Sequence, residues 1–181
     1  SGMASASAAV PVIREYYEIR IYHVTGKAQE AATDKFLKDA FLPALHRAGI
    51  EKAGVFKPVE SDTAFGKRIY VFIPFKSSDQ MIQLPAVLAV DQKYNEQGRD
   101  FLDAPFDNPP FRRYESIYLF AFKDMPLFRP PKFSTPPASR IYELRSYESA
   151  TEAKAAKKIE MFNDGGEMKL FEKLGFNAVF F

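Results

Sequence analysis

The sequence contains no cysteine, no tryptophan and only two histidines among its 181 residues. The absence of cysteine excludes disulfide bridges, thiol nucleophiles and cysteine-bound zinc or iron–sulfur clusters. The two histidines, His23 and His46, argue against a dedicated transition-metal site when no cysteine accompanies them. We therefore expect neither a metal nor a cofactor.

A large excess of either charge is also lacking. The chain has 25 Lys+Arg against 23 Asp+Glu, a formal net charge of +2, which argues against nucleic acid as a partner because phosphate binding needs clustered basic residues. No run of eighteen apolar residues occurs, so no membrane span is expected. With 46% hydrophobic and 27% charged residues, the composition is that of a globular protein.

The first nine residues are small and show no pattern. Ser1 and Gly2 before Met3 look like a remnant of an expression vector. The Ala/Ser stretch that follows fits either a flexible tail or the small-residue end of an export signal. We predict that residues 1–15 are a disordered tail or tag. The location stays open between export, to the periplasm or outside the cell, and the cytoplasm.

An internal repeat is the most informative feature of the chain. The pattern Y-E-aliphatic-R-x-Y begins at Tyr17 and again at Tyr142, an offset of 125 residues. Each copy continues with a helical stretch that ends at a glycine, Gly49 or Gly175, and then with a short apolar run. Repetition of pattern, helix, glycine and apolar run in the same order indicates two related units.

The first copy has the pattern of a complete α+β domain over residues 16–123. Alternating polarity and turn residues predict strands at 16–24, 54–58, 67–74 and 116–122. Helices are predicted at 27–48, with a kink at Pro43, and from a capping box at Ser77 and Gln80 to about Leu102. The order β-α-β-β-α-β predicts a ferredoxin-like unit.

The second copy is predicted to be partial. Five prolines within 123–139 predict an extended linker, residues 124–139, before a second domain over 140–181. Ser149 and Glu152 have the spacing of a capping box for its helix. The second copy has no counterpart of three elements of the first: one strand of the hairpin, the second helix and the last strand. We therefore expect that this chain is a shortened version of a longer protein.

These two tandem openings, 17–22 and 142–147, resemble the start of the NIPSNAP domain. The stretch 40–56 is similar to the bacterial, often exported, members of that family. The resemblance covers nearly the whole chain and implies a dimeric α+β barrel, in which two ferredoxin-like sheets pack face to face around a cavity. It also implies self-association through sheet faces, either as a homo-oligomer or as a pseudo-dimer within one chain. The family supplies no settled reaction and no catalytic motif.

The alternation of strand residues predicts what lines such an interior. We expect the aliphatic residues to face the helices, so that an aromatic surface with embedded charges lies on the other face of the sheet. The aliphatic residues predicted on the helix side are Ile19, Ile21, Ile69, Val71, Ile73, Ile117 and Leu119. Phe72 and Phe120 belong to that predicted surface. Its candidate ligand-binding residues are Glu18, Arg20, Tyr22, Tyr70, Tyr118, Glu143, Arg145 and Tyr147.

The sequence leaves two interpretations of the charges open. Glu18 and Arg20, or their counterparts in the second copy, form either a structural ion pair in an aromatic core or part of a pocket for a small apolar or anionic ligand. His46 is a candidate acid or base, or simply a surface residue. The favoured function is a NIPSNAP-like module that binds a small ligand or a protein. The alternative is a cofactor-independent oxygenase or lyase that acts on a small apolar molecule.

Overall fold

A computed structural model describes residues 13–181, which divide into two compact units. The first unit is Glu15–Phe120, and the second contains Arg14 and residues 121–181. Most of the predicted tail, residues 1–12, lies outside the described residues. The predicted division into domains and linker stays a prediction.

The first unit contains a four-stranded antiparallel sheet. Its strands are β1 (Tyr16–His23), β2 (Gly54–Phe56), β3 (Arg68–Phe75) and β4 (Arg113–Phe120). The spatial order is β2-β3-β1-β4, so the first strand lies in the middle, between the third and the fourth. This order, with helices between β1 and β2 and between β3 and β4, confirms the ferredoxin-like α+β fold.

The first helical connection is divided near Pro43, as the sequence predicts. Helix α1 (Lys27–Phe36) runs into a wide π-helical turn (Leu37–Phe41) and then into α2 (Leu42–Arg47), which has Pro43 in its first turn. Proline has no backbone N–H to donate to the preceding turn, and the wide turn accommodates this missing hydrogen bond.

The second helical connection is also divided, into α3 (Ser78–Ala89) and α4 (Gln92–Leu102). The predicted capping box at its start is present with one shift, in that the Gln80 side chain accepts from the N–H of the residue before the N-cap instead of from the N-cap N–H. Ser77 Oγ accepts from the Gln80 N–H, and Gln80 Oε1 accepts from the Lys76 N–H. Asp91 caps α4 by accepting from the Tyr94 N–H at 2.9 Å.

The core of the first unit lies between the sheet and these helices. The side chains of Ile69, Val71 and Ile73 on β3 are fully buried there against Phe41 and Leu45. Burial of such apolar side chains supplies the main driving force for folding. β4 lies at one edge of this sheet and pairs with β1 alone.

The second unit contains α5 (Glu152–Asn163) and α6 (Glu167–Lys173), with a single 3₁₀ turn at Pro137–Ser139. The Phe122 N–H donates to the Phe181 carbonyl, and the Arg129 N–H donates to the Val179 carbonyl. The predicted cap at Ser149 is wrong, because Thr151 Oγ1 accepts from the Lys154 N–H and α5 begins two residues later than expected.

The predicted repeat is visible in how α2 and α6 end. Gly49 and Gly175 both adopt a left-handed conformation, with φ of 80° and 84°. In the first unit the Ile50 N–H donates to the Leu45 carbonyl at 2.9 Å, and in the second the Phe176 N–H donates to the Phe171 carbonyl at 3.0 Å. Both helices therefore end in the same Schellman motif, which places glycine where a side chain would be strained.

Candidate functional site

The strand register shows which side chains of β1 face the helices. Residues directly opposite each other in an antiparallel pair lie on the same face of the sheet. Tyr22 lies opposite Ile69, and Arg20 lies opposite Val71. Glu18, Arg20 and Tyr22 therefore face the helices, and the prediction that they lie on the other face is wrong.

The physical reason is that both faces of β1 are buried. Tyr17, Ile19 and Ile21 on the face opposite the helices are as inaccessible as Tyr22 on the helix face. Polarity along a strand identifies the covered face only when the other face meets water. In β1 the alternation correctly grouped the residues but assigned the groups to the wrong faces.

The same correction applies to β4. Tyr118 lies opposite Glu18, and Phe120 lies opposite Tyr16 with the two rings stacked at 4.6 Å. Both residues therefore lie on the helix face, where the sequence predicted Ile117 and Leu119. For β3 the prediction was right, since Ile69, Val71 and Ile73 do face the helices.

A buried ion pair lies at the centre of the helix face. Arg20 Nε donates to Glu18 Oε1 at 2.9 Å, and Ser116 Oγ on β4 donates to the same oxygen at 2.7 Å. The pairing of Glu18 with Arg20 inside one copy is one of the arrangements that the sequence predicted. A buried carboxylate needs such partners because its desolvation is costly.

Two aromatic rings flank the guanidinium of Arg20. Its central carbon lies 4.9 Å from the ring centre of Phe41 and 5.5 Å from that of Tyr114. Phe41 comes from the wide turn after α1, and Tyr114 comes from β4. A guanidinium held against ring faces gains cation–π attraction while it keeps its planar donors available. We call Glu18, Arg20, Tyr22, Tyr114 and Ser116 the Arg20 cluster.

The electrostatics of the cluster keep its arginine charged and its tyrosines neutral. Burial by itself lowers the pKa of Arg20, but Tyr22 and Glu18 outweigh it and raise that pKa above its usual value. Burial raises the pKa of Tyr22, with a partial offset from Arg20. Burial likewise raises the pKa of Tyr94, on α4 nearby, to about 12. These tyrosines are therefore hydrogen-bonding groups at neutral pH.

The cluster reaches solvent along the β4 edge of the sheet. Tyr114, Tyr118 and Phe120 project from the helix face of β4, and each keeps about half of its surface exposed. The helix face is thus divided into two halves. The half over β3 is apolar and closed to solvent. The half over β1 and β4 has polar side chains at its floor, the Arg20 cluster, and is open to solvent at its aromatic rim, which is formed by Tyr114, Tyr118 and Phe120.

The second unit repeats the cluster locally. Arg145 Nε donates to Glu143 Oε1 at 2.9 Å, the same distance as in the first unit. Its guanidinium lies 5.5 Å from the ring centre of Phe171 and 5.2 Å from that of Phe176. The ring of Tyr147 packs edge-on against Phe162 on α5. Arg145 and Tyr147 thus pack against rings of the helical part of this unit, although the sequence predicted that they lie on the side away from the helix.

Two predicted site residues lie away from the Arg20 cluster. Tyr70 lies opposite Ile21 and thus on the face away from the helices, where its hydroxyl accepts from Arg68 at 3.4 Å. His46 is exposed in the last turn of α2. In the first unit the structure therefore groups Glu18, Arg20, Tyr22 and Tyr118, and places Tyr70 and His46 elsewhere. The other predicted residues, Glu143, Arg145 and Tyr147, belong to the second unit.

Sequence reasoning missed several members of the site. Ser116, Tyr114, Phe41 and Tyr94 had no motif to mark them. The signal that could have found Ser116 and Tyr114 was the strand register, since they lie opposite Arg20 and Tyr22. Phe41 depends on the wide turn, which no local pattern identifies.

The described residues contain no group of three or more metal-ligating side chains that could hold a metal ion. Within residues 13–181, no helix has both the length and the apolar character needed to cross a membrane.

No protein-family model matches the chain, and no curated protein matches it either. Solved structures do resemble it. A NIPSNAP family protein (Atu5224) from Agrobacterium tumefaciens is 14% identical with a TM-score of 0.49, over 67% of this chain and 98% of that one. A second from the same organism (Atu4242), of unknown function, is 18% identical with a TM-score of 0.47, over 61% and 90%.

A dimeric protein of unknown function and ferredoxin-like fold from Bacteroides fragilis is 12% identical with a TM-score of 0.40, over 58% of this chain and 94% of that one. The ferredoxin-like fold of the first unit itself follows from its strand order and from the helices between its strands. Its structural neighbours include NIPSNAP family proteins, the family that the sequence resembles. At these sequence identities the structural similarity assigns no activity, substrate or site residue to this chain.

Proposed function

We propose that the chain is a non-catalytic binding module that holds a small, partly apolar, anionic ligand at the Arg20 cluster. The observation that carries this proposal is the guanidinium of Arg20 between the rings of Phe41 and Tyr114, with part of its surface still exposed. The ligand's anionic group meets Arg20, and its apolar part lies on the aromatic rim of β4.

The donors of Arg20 support this proposal. A guanidinium has five N–H donors, of which the Nε–H is directed to Glu18. The Arg20 side chain keeps 19% of its surface exposed, so its Nη groups are the donors that a carboxylate would meet in a bidentate fork. Tyr22 and Ser116 add hydroxyl groups on the same floor.

The division of the helix face also supports it. At the positions opposite Val71 and Ile73, the strand carries Arg20 and Glu18 instead of aliphatic residues. A buried ion pair is commonly no more stabilising than apolar residues of the same volume. The presence of this ion pair beside an open aromatic rim therefore fits a binding role better than a purely structural one.

The titration behaviour of the cluster favours binding over acid–base chemistry. A general acid or base works best when its pKa lies near the operating pH. The pKa values of Tyr22, Tyr94 and Arg20 are all raised further from neutrality. This supports the binding interpretation over an oxygenase or a lyase that would need a proton acceptor at this site.

Binding of 1-anilinonaphthalene-8-sulfonate, an aromatic anion, tests the proposal by fluorescence titration. Tyr114→Ala removes one of the two rings, and Arg20→Lys keeps the charge but removes the planar fork. We expect each variant to bind the dye at least about fivefold more weakly, because each loses one cation–π or bidentate contact.

Phe106→Ala is the matched control, because Phe106 is a fully exposed aromatic residue outside the cluster. It should bind the dye as the wild-type protein does. Near-UV circular dichroism checks that every variant is folded. Equal dye affinity in all four proteins would refute the binding site.

We also propose that the chain self-associates through its sheet, at the part of β4 that stays exposed on the face opposite the helices. Ile117 on β4 supports this proposal, since it shares that face with Ile19 and is 42% exposed. Sedimentation velocity tests it. Ile117→Lys should shift the protein toward the monomer, whereas Phe106→Lys should not. An unchanged sedimentation coefficient for Ile117→Lys would contradict this mode of association.

A further inference from the structure

A row of three basic side chains crosses one end of the sheet in the first unit. His23 on β1 lies directly opposite Arg68 on β3 and directly opposite Arg113 on β4. Side chains in such cross-strand pairs have Cβ atoms roughly 5 Å apart and share one face. The three residues, which we call the basic row, therefore lie side by side on the face opposite the helices.

One carboxylate contacts two members of the basic row. Glu115 Oε1 bonds His23 Nε2 and lies 2.9 Å from Arg113 Nη2. Arg68 instead donates to the Tyr70 hydroxyl at 3.4 Å. The pKa of Glu115 is lowered, first by the hydrogen bond from His23 and then by the arginines, which indicates a positive local potential.

Arg68 and Arg113 lie on the strands that flank His23, so two guanidinium groups lie at one end of the same sheet face. Both arginines are exposed, so their donors can reach a ligand. The chain as a whole has a net charge of only +2, so a concentration of positive charge at one edge is a local feature.

We propose that the basic row is a binding site for a phosphate group. Arg68 and Arg113 donate to the phosphate oxygens from two sides. His23 lies between them and becomes a third donor when it exchanges its bond to Glu115 for one to the phosphate. Glu115 occupies the site in the absence of ligand. This site is distinct from the Arg20 cluster, which lies on the other face of the same sheet.

The phosphate group can come from a soluble phosphomonoester or from a lipid headgroup. Both present the same oxyanion to the arginines. Glycerol 3-phosphate and vesicles of phosphatidylcholine with phosphatidic acid separate the two sources. Binding of the soluble ester without vesicle co-sedimentation assigns a soluble ligand, and co-sedimentation that requires phosphatidic acid assigns the headgroup.

Titration with inorganic phosphate at constant ionic strength, followed by backbone amide shifts in NMR spectra, tests the site. The double variant Arg68→Gln/Arg113→Gln should raise the dissociation constant at least about tenfold, because two charge-assisted contacts are lost. Lys35→Gln/Lys38→Gln removes the same charge from exposed positions on α1 and the wide turn after it, and should leave the affinity unchanged.

Glu115→Gln supplies a test in the opposite direction. Removing the carboxylate that competes with phosphate should tighten binding several-fold, and this variant keeps both arginines even if the double variant is unstable. If both double variants weakened phosphate binding equally, the proposal would be overturned, because phosphate would then be attracted by the overall charge of the protein and not by the basic row. A Glu115→Gln protein that binds phosphate no better than the wild type would also overturn it.

Discussion

The two copies of the Glu-x-Arg-x-Tyr pattern share the contact between the arginine Nε and the glutamate Oε1 but differ in their surroundings. In the second copy a further bond, from Arg145 Nη2 to Glu143 Oε2 at 2.9 Å, makes the pair bidentate. The Arg–Glu distance is 2.9 Å in both, and both guanidinium groups lie over aromatic rings. Yet the Glu18 side chain is 3% exposed and Glu143 is 63% exposed, while Arg20 is 19% and Arg145 is 39% exposed.

The difference comes from the sheet. In the first unit β1 pairs with strands on both sides, whereas residues 140–149 of the second unit form no strand. The short pattern is thus sufficient to bring arginine, glutamate and rings together. The neighbouring strands remove the ion pair from water. An exposed ion pair contributes little to stability, whereas breaking a buried one is strongly destabilising.

Replacing each arginine in turn tests whether burial makes the two ion pairs differ, and it has the largest expected effect. Arg20→Met leaves Glu18 buried without its charged partner and should lower the free energy of unfolding of the first unit by about 3–5 kcal/mol. Arg145→Met should change the second unit little, because Glu143 stays in water. Native-state hydrogen exchange of amides in β1 and α5 measures each unit separately. Equal losses in both units would contradict the role of burial.

The two helix caps provide a smaller effect that should be alike in both copies. Gly49→Ala and Gly175→Ala each force alanine into a left-handed conformation, at a cost of about 1–2 kcal/mol. Gly26→Ala is the control, since Gly26 has an extended backbone and nothing within 4 Å of an added Cβ. Thermal unfolding followed by circular dichroism measures all three. A large difference between the two cap variants would show that the caps are not equivalent.

The smallest expected effect is a pH dependence in the second copy. The hydrogen bond from Arg145 lowers the pKa of Glu143. A carboxylate with a lowered folded-state pKa stabilises the folded state above its unfolded pKa, and this contribution is lost as the pH falls through the folded value. An NMR titration should show the lowered pKa in the wild type and a higher one in Arg145→Gln. High salt should reduce the difference, and identical titration curves would refute the pairing.

Much of the first unit was predictable because its signals are local. The alternation at 16–24, the capping box at Ser77 and the divided helix near Pro43 each depend on a few consecutive residues, and each is present in the structure. The pairing of Glu18 with Arg20 was predictable for the same reason, since residues two apart in a strand share a face.

The composition of the site was less predictable because it depends on long-range pairing. Ser116 reaches Glu18 only through the register between β1 and β4. The face assignment of β1 failed because apolar residues are buried on both sides of that strand. Where a strand lies between two covered faces, its own sequence does not distinguish them, and the aliphatic residues of β3 are the better guide.

The wide turn between α1 and α2 bears on how the two copies could diverge in length. An α-helix advances about 100° per residue, so inserting or deleting one residue normally rotates everything beyond it off the core. A turn with one residue more absorbs that rotation locally. The strand patterns are offset by 125 residues and the capping glycines by 126, so the copies differ by one residue in between. Each copy interrupts its helix in this interval, at the wide turn or between α5 and α6, and such an interruption lets the helix gain or lose a residue without disturbing its capped end.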